Sequence, residues 1–474
     1  MEVHANRFPA AARKALADRQ LQAALGSATD RLSSQRQEAF AEFPEGEGLR
    51  DRAREIKLRT LAQLDRHLEQ LCDELEARGV RVHFAADAAQ ARERVVELVR
   101  ARGGRVAVKS KSMTSEEIGL NAALEAAGIE AVETDLGEYI IQIAKDRPSH
   151  LIVPAIHKTR GEIADLFQAR HGSPRRESHE ELTRDAREQL RRRFLEADVG
   201  ITGVNFAVAS TGSLVLVENE GNIRLSTSLP GCHIAIMGLE KVIPDLESLS
   251  VFLRVLARSA TGQKMSSYVS LLTGPRREAE ADGPEELHLI LLDNGRTRLL
   301  ADPVLREALA CIRCGACLNV CPVYRHAGGH AYGWVYPGPI GAIINPTLLG
   351  PERAAPLPFA STLCGACRES CPVRIEFPRL LLAQRANVRR ALWRPRAAGA
   401  SSWLEAVGVR VFTWVARSPR RYRWFGRTAR WVGRSIVGRG RIRWLPGLSA
   451  WSRSRDFPVP ARESFAERWA RQRD

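Results

Sequence analysis

The 474-residue chain has no uncharged apolar run of 18 residues, so no segment reads as a membrane span. Its opening, MEVHANRFPAAARKALADRQ, lacks the apolar h-region of a secretory signal. The nine cysteines are an odd number without such a signal. These absences predict a cytoplasmic protein whose cysteines serve metal or redox chemistry rather than disulfides. No GxGxxG follows a strand-like run and no GxxxxGK[ST] occurs, so neither a dinucleotide fingerprint nor a P-loop is legible. Lysine is missing from residues 385–474, where 22 arginines face 5 acidic residues. That surplus of 17 exceeds the formal +16 of the whole chain, so the basic character belongs to the tail alone.

What is present divides into four. With 44% hydrophobic and 27% charged residues, the composition is that of a globular protein long enough for about three domains. Residues 1–75 read as an N-terminal helical arm, with Ile56, Leu58, Leu61, Leu64 and Leu68 near helical spacing. Over 76–300, short apolar runs (VRVHFA, RVAVKS, IEAVET, HLIVPAI, SLVLVE, HIAIMG) alternate with helical patterns, which predicts an α/β domain with a largely parallel sheet. Residues 301–385 are cysteine-rich, and 386–474 hold eight of the nine tryptophans among arginines.

The cysteine-rich part contains CIRCGACLNVCP at 311–322 and STLCGACRESCP at 361–372. The first has the C-x2-C-x2-C-x3-C-P spacing of bacterial ferredoxins, in which three cysteines hold one cubane and the fourth crosses to the other. Crossing assigns Cys311, Cys314, Cys317 and Cys371 to one [4Fe–4S] cluster. A second cluster receives Cys321, Cys364 and Cys367, and its fourth corner falls to Ser361, to another residue such as His330 or Cys232, to water, or to nothing, which leaves a [3Fe–4S] cluster. Zinc, usually built from two separated CxxC pairs, fits the spacing poorly. Cys72, inside the helical LEQLCDELEARG, reads as a plain thiol.

The stretch VAVKSKSMTSEEIGLNAALEAAGIEAVETDLGEYIIQIAKDRPSHLIVPAIHKTRGEIADLF is long and specific, as are VASTGSLVLVENEGNIRLSTSLPGCHIAIMGLEKVIP, TGQKMSSYVSLLTGPR and SAWSRSRDFPVPARESFAERW. Together they resemble the lactate utilisation protein B family along nearly the whole chain. The resemblance implies an α/β domain distantly similar to the sugar-phosphate isomerase and coenzyme A transferase fold, joined to an α-helical ferredoxin-type di-cluster domain. It also implies a part in NAD-independent oxidation of L-lactate to pyruvate with two companion subunits, and the seven cysteines as cluster ligands.

Oxidising a 2-hydroxy acid requires a base for the hydroxyl proton, a cation for the carboxylate and an electron acceptor. The loop KSKSMTSEE follows a strand, and Thr114 with Glu117 has capping-box spacing, so Lys109 and Lys111 beside a helix start make an anion site. Arg224 is a further cation. His157 after LIVPAI and His233 before IAIMG are the candidate bases, both expected at strand edges. Glu218, where the strand SLVLV should end, resembles the nucleophile of coenzyme A transferases. Glycolate or another 2-hydroxy acid is the alternative substrate, and a nucleic-acid-binding iron–sulfur protein the alternative class. The one-electron clusters leave a two-electron centre to be supplied, chiefly by a partner. In the tail, Trp403, Val407, Val411 and Trp414 share a helical stripe, which reads as a partner-docking segment, with peripheral membrane contact as its alternative.

Overall fold

The computed structural model of the chain describes residues 3–392, 400–437, 441–442, 457–458 and 461–472. The apolar runs form β1 (Arg81–Ala85), β2 (Val106–Lys109), β3 (Glu130–Glu133), β4 (Val199–Gly203), β5 (Phe206–Val208), β6 (Ser213–Glu218), β7 (Cys232–Gly238), β8 (Val242–Ile243), β9 (Tyr268–Leu272) and β10 (Glu286–Leu292). Six of them make an all-parallel sheet in the order β1-β10-β7-β4-β2-β3. A central parallel strand is covered on both faces and so must be apolar throughout. All seven residues of β7 are buried.

From β2 the chain moves outward to β3 and then returns past β2 to β4. Strand order therefore reverses between β2 and β4, and such a reversal opens a crevice outside the carboxyl ends of the strands. Gly203, the last residue of β4, admits the loop that follows β2. A Cβ at this position would lie 2.5 Å from Ser112 Oγ.

Two apolar runs lie outside the expected, largely parallel sheet. SLVLVE is β6, which joins a second sheet, β8-β5-β6-β9, antiparallel to β5 and β9. Only residues 209–212 link β5 to β6, whereas a parallel pair needs a crossover of roughly a dozen residues or more. HLIVPAI forms turns rather than a strand. Pro148 and Pro154 cannot donate to a ladder, and the His150 ring accepts the N–H groups of Ile152 and Val153 at 3.0 and 3.1 Å. His157 consequently sits on a loop and not at a strand edge.

Residues 1–391 form one compact unit. Helices α1 (Phe8–Ala17), α2 (Arg19–Ala41), α3 (Gly46–Ala62) and α4 (Leu64–Glu76) do not stand off as an arm. Leu25, Ile56, Leu64 and Leu71 share a continuous core with Leu318, Tyr324 and Tyr332 of the cysteine-rich part. Arg50 of α3 donates to the Cys371 carbonyl from Nε at 3.2 Å and Nη2 at 3.0 Å.

The second unit, residues 392–474, includes helices Ala400–Ala416, Pro419–Val437 and Phe465–Arg471. Arg430 holds Glu467 through two bonds of 2.6 and 3.1 Å. Val407, Val411 and Trp414 are exposed, whereas the side chain of Trp403 lies outside the described residues. No described helix is long and apolar enough to cross a membrane.

A buried ion network ties the sheet to the first cysteine run. Arg296, after β10, donates to both oxygens of Glu117 at 2.9 and 2.8 Å and to Glu240 Oε2 at 2.6 Å. Tyr336 donates its hydroxyl to Glu117 at 2.6 Å, and Arg313 reaches Glu240 at 3.3 Å. Burial alone would raise the Glu240 carboxyl, but Arg296 and Arg313 outweigh it and hold the group at about 2. A carboxyl held below its unfolded value of about 4.3 stabilises the fold above that pH. The contribution then fades as pH falls toward 2. Replacing Arg296 with methionine strands two buried carboxylates, with an expected loss of about 3–5 kcal/mol in urea unfolding at pH 7. The loss should shrink as the pH drops from 5 to 3; a loss under about 1 kcal/mol, or one independent of pH, contradicts this role.

Candidate functional site

The two cysteine runs wind into tight loops followed by short helices, Ala316–Asn319 and Ala366–Ser370. Cys311, Cys314, Cys317 and Cys371 line one small internal cavity, together with Leu151, Ile340 and Phe377. The four residues grouped by the crossing rule are thus brought together from two runs about 50 positions apart. Burial pushes the Cys314 thiol up to about 12, with Cys371 adding to the rise. Burial also takes Cys367 to about 12, with Cys321 and then Cys364 contributing. Thiols confined in this way stay protonated unless a cation replaces their protons.

Among the described residues no three of these sulfurs lie within 4.8 Å of one another. A tetrahedral zinc with bonds of about 2.3 Å would hold its sulfurs roughly 3.8 Å apart. The cysteines of the two runs therefore do not form a closed tetrahedral zinc site. Cys364 is exposed and Ser361 half-buried, while Cys314, Cys317, Cys321, Cys367 and Cys371 are buried. Cys232 and His330 lie elsewhere: Cys232 groups with Glu286 and His288, and His330 with Asp146 and His157. Cys72 is half-buried in α4, and burial pushes its thiol up to about 11.

Beside the first run, at the carboxyl ends of the strands, lies a cavity of about 570 Å³. Its walls come from the loop after β2 (Lys111, Ser112), the end of β4 (Gly203), Glu218 of β6, and Glu240 and Lys241 after β7. Ile312 and Arg313 of the first cysteine run close it. Two cationic groups in these walls are buried without a hydrogen-bond partner, Lys111 Nζ and one terminal nitrogen of Arg313. The nearest carboxylate to Lys111 is Glu138 at 3.9 Å. Burial raises the Glu138 carboxyl, and the Lys111 charge opposes that rise. The Arg313 guanidinium lies 4.6 Å from the centre of the Tyr336 ring. Unpaired buried donors of this kind are costly unless an anion satisfies them.

Several expected site residues stand apart from this cavity. Lys109 is buried with its ammonium 2.7 Å from Glu133 and 3.0 Å from Glu116, so its charge is already neutralised. Arg224 points outward over Tyr268, 5.6 Å from the ring centre. His157 pairs with Asp146 at 3.0 Å on its loop. His233 lies near the start of β7, far from the carboxyl end, fully buried with Nε2 2.8 Å from Thr202 Oγ1. Burial holds its ring down at about 3, in the neutral form. Glu218 does line the cavity, but its two oxygens accept the N–H groups of Ile223 and Arg224 at 2.7 and 2.9 Å. It caps the helix Asn222–Ser228 rather than standing free as a nucleophile. Ser112, not Thr114, caps the short helix Met113–Glu117, accepting the Ser115 N–H at 3.3 Å.

Lys241 is the cavity residue that periodicity and motif did not single out. It is 9% exposed, and burial pushes its ammonium down to about 8 against the pull of Glu240. Its signal in the sequence is faint: one lysine after the apolar HIAIMG, where a β7 carboxyl end would fall.

A ferredoxin-type pair of cysteine loops, the first of which lines the α/β cavity through Ile312 and Arg313, defines an iron–sulfur protein. Family models match along the chain: a LUD domain over residues 68–292, a 4Fe-4S dicluster domain over 307–375, and a lactate utilisation protein B C-terminal region over 387–474. Lactate utilization protein B of Shouchella clausii is 46% identical over 465 residues, covering 97% of this chain and 96% of its own. The protein of that name from Anoxybacillus flavithermus is 43% identical, covering 100% and 99%, and that of Bacillus licheniformis 43%, covering 98% and 97%. The chain belongs to the lactate utilisation protein B family.

An inert carboxylate should settle on the two cationic nitrogens that make no hydrogen bond. Oxamate at about 100 times its dissociation constant is expected to add about 2.7 kcal/mol to stability, seen as a raised Tm. Lys111→Met should lose most of that shift; an equal shift in the variant would place the anion elsewhere.

Proposed function

We propose that this protein is the iron–sulfur electron-transfer subunit of a cytoplasmic, NAD-independent system that oxidises L-lactate to pyruvate with two companion subunits. The observation that carries the reading is a cavity with two buried cationic nitrogens that make no hydrogen bond, one of them on Arg313 of the first cysteine loop itself. Two [4Fe–4S]-type clusters are assigned, the first to Cys311, Cys314, Cys317 and Cys371, the second to Cys321, Cys364 and Cys367. Such clusters supply one-electron transfer when bound.

The chain's own residues prepare the substrate. Lys111 and Arg313 take the carboxylate of a small 2-hydroxy acid. Lys241, with its pKa brought close to neutrality, accepts the hydroxyl proton, a role in which burial makes a lysine effective. Lactate gives up two electrons and two protons in becoming pyruvate. The second proton leaves with the electron pair from the C–H bond, to a two-electron centre in a companion subunit. The exposed valines and tryptophan of the 392–474 unit, set among arginines, support docking of that unit on an acidic companion.

Turnover by the assembled complex tests this. With an artificial electron acceptor, L-lactate should be preferred over glycolate. Lys241→Met is expected to lower kcat by about 10²–10⁴ with KM little changed, whereas Lys111→Met should chiefly raise KM. Wild-type activity should climb with pH through a midpoint near 8 to a plateau above it, as Lys241 loses its proton. Preference for glycolate, or full activity in Lys241→Met, contradicts the assignment. Removing residues 392–474 should abolish co-purification with the companions and leave the iron content intact.

A further inference from the structure

The two cysteine runs differ at their first position, Cys311 in CIRCGAC and Ser361 in STLCGAC. Their backbones do not register the difference. The third residues, Arg313 and Leu363, both adopt left-handed φ, 62° and 56°, and the fifth, Gly315 and Gly365, follow at 75° and 89°. A leucine in that region is uncommon and persists only where its surroundings fix it. In each loop the third residue turns its N–H back onto the first side chain. Arg313 N lies 3.4 Å from Cys311 Sγ, and Leu363 N lies 3.1 Å from Ser361 Oγ. Both first residues are half-buried. Arg385 braces the second loop, donating to the Ser361 carbonyl at 3.0 Å and to the Pro358 carbonyl at 2.8 Å.

The Ser361 hydroxyl thus occupies, in a copied ligand loop, the place of a cluster-binding sulfur. We infer that Ser361 Oγ is the fourth ligand of the second cluster, completing Cys321, Cys364 and Cys367. The inference rests on the two-cluster reading above. Ser361 Oγ bonds to iron as its proton passes to solvent, with no change in iron oxidation state. The resulting corner is the accessible one of the pair: Cys364 is exposed, whereas Cys314, Cys317 and Cys371 are buried.

The test uses the full-length chain, purified without oxygen, as wild type, Ser361→Cys and Ser361→Ala. Iron and sulfide are counted, and electron paramagnetic resonance is recorded on oxidised and reduced samples. Wild type is expected to carry about eight irons per chain, two cubanes' worth. Ser361→Ala should lose one iron and gain a three-iron signal when oxidised. Ser361→Cys should keep all its iron and change only one of the two reduced signals. A wild type with one iron fewer and a three-iron signal as purified overturns the inference, as does a Ser361→Ala variant with full iron and unaltered signals. Should Ser361→Ala fail to fold, an unchanged spectrum in Ser361→Cys decides against it. Fewer than about four irons in wild type, or zinc in their place, overturns the two-cluster reading itself.

Discussion

Arg296 is the residue on which the rest of the arrangement depends. Its guanidinium is 3% exposed and clamps Glu117 after β2 to Glu240 after β7, while itself following β10. Through Glu240 and Glu117 the same network reaches Arg313 and Tyr336 of the cysteine-rich part. Charges this deeply buried contribute little net stability as a set, but breaking the set is costly, so their geometry is held firmly. The carboxyl edge of the sheet and the first cysteine loop are therefore fixed to each other as one body.

The same coupling helps set the charges around the cavity, where Lys111, Lys241 and Arg313 are accompanied by Asp135, Glu218, Glu220 and Glu240. Glu117 is taken up by Arg296 and Glu240 is shared between Arg296 and Arg313, while Lys111 Nζ and one terminal Arg313 nitrogen make no hydrogen bond. Lys109, two residues before Lys111, is treated in the opposite way, enclosed by Glu133 and Glu116. Two lysines two residues apart thus have different surroundings. One closes a buried ion pair at the strand end, and the other lines the cavity 3.9 Å from Glu138.

The cluster domain was legible because its chemistry is local: ligand spacing in CIRCGAC and STLCGAC states which side chains converge, and even the twin register of Ser361 is visible in the letters. The parallel sheet was legible from the fully apolar β7 and from strand–helix alternation. The cavity was less so. Its cations come from the loop after β2, from the segment after β7 and from the cysteine loop, and only tertiary packing decides that Lys111 lines the cavity while Lys109 is enclosed by Glu133 and Glu116. His157 and His233 misled because a histidine beside an apolar run does not disclose which end of a strand it marks, or whether prolines have removed the strand. Lys241 escaped notice because a buried lysine looks in sequence like any other.

The central claim is that the first cysteine loop and the cavity at the carboxyl ends of the strands share a wall at Arg313. Electron paramagnetic resonance of the reduced, full-length protein with and without saturating oxamate tests it most directly. The account predicts that one of two cluster signals shifts on binding and that Lys111→Met suppresses the shift. Oxamate that binds, by thermal shift, yet leaves both signals unchanged would contradict it.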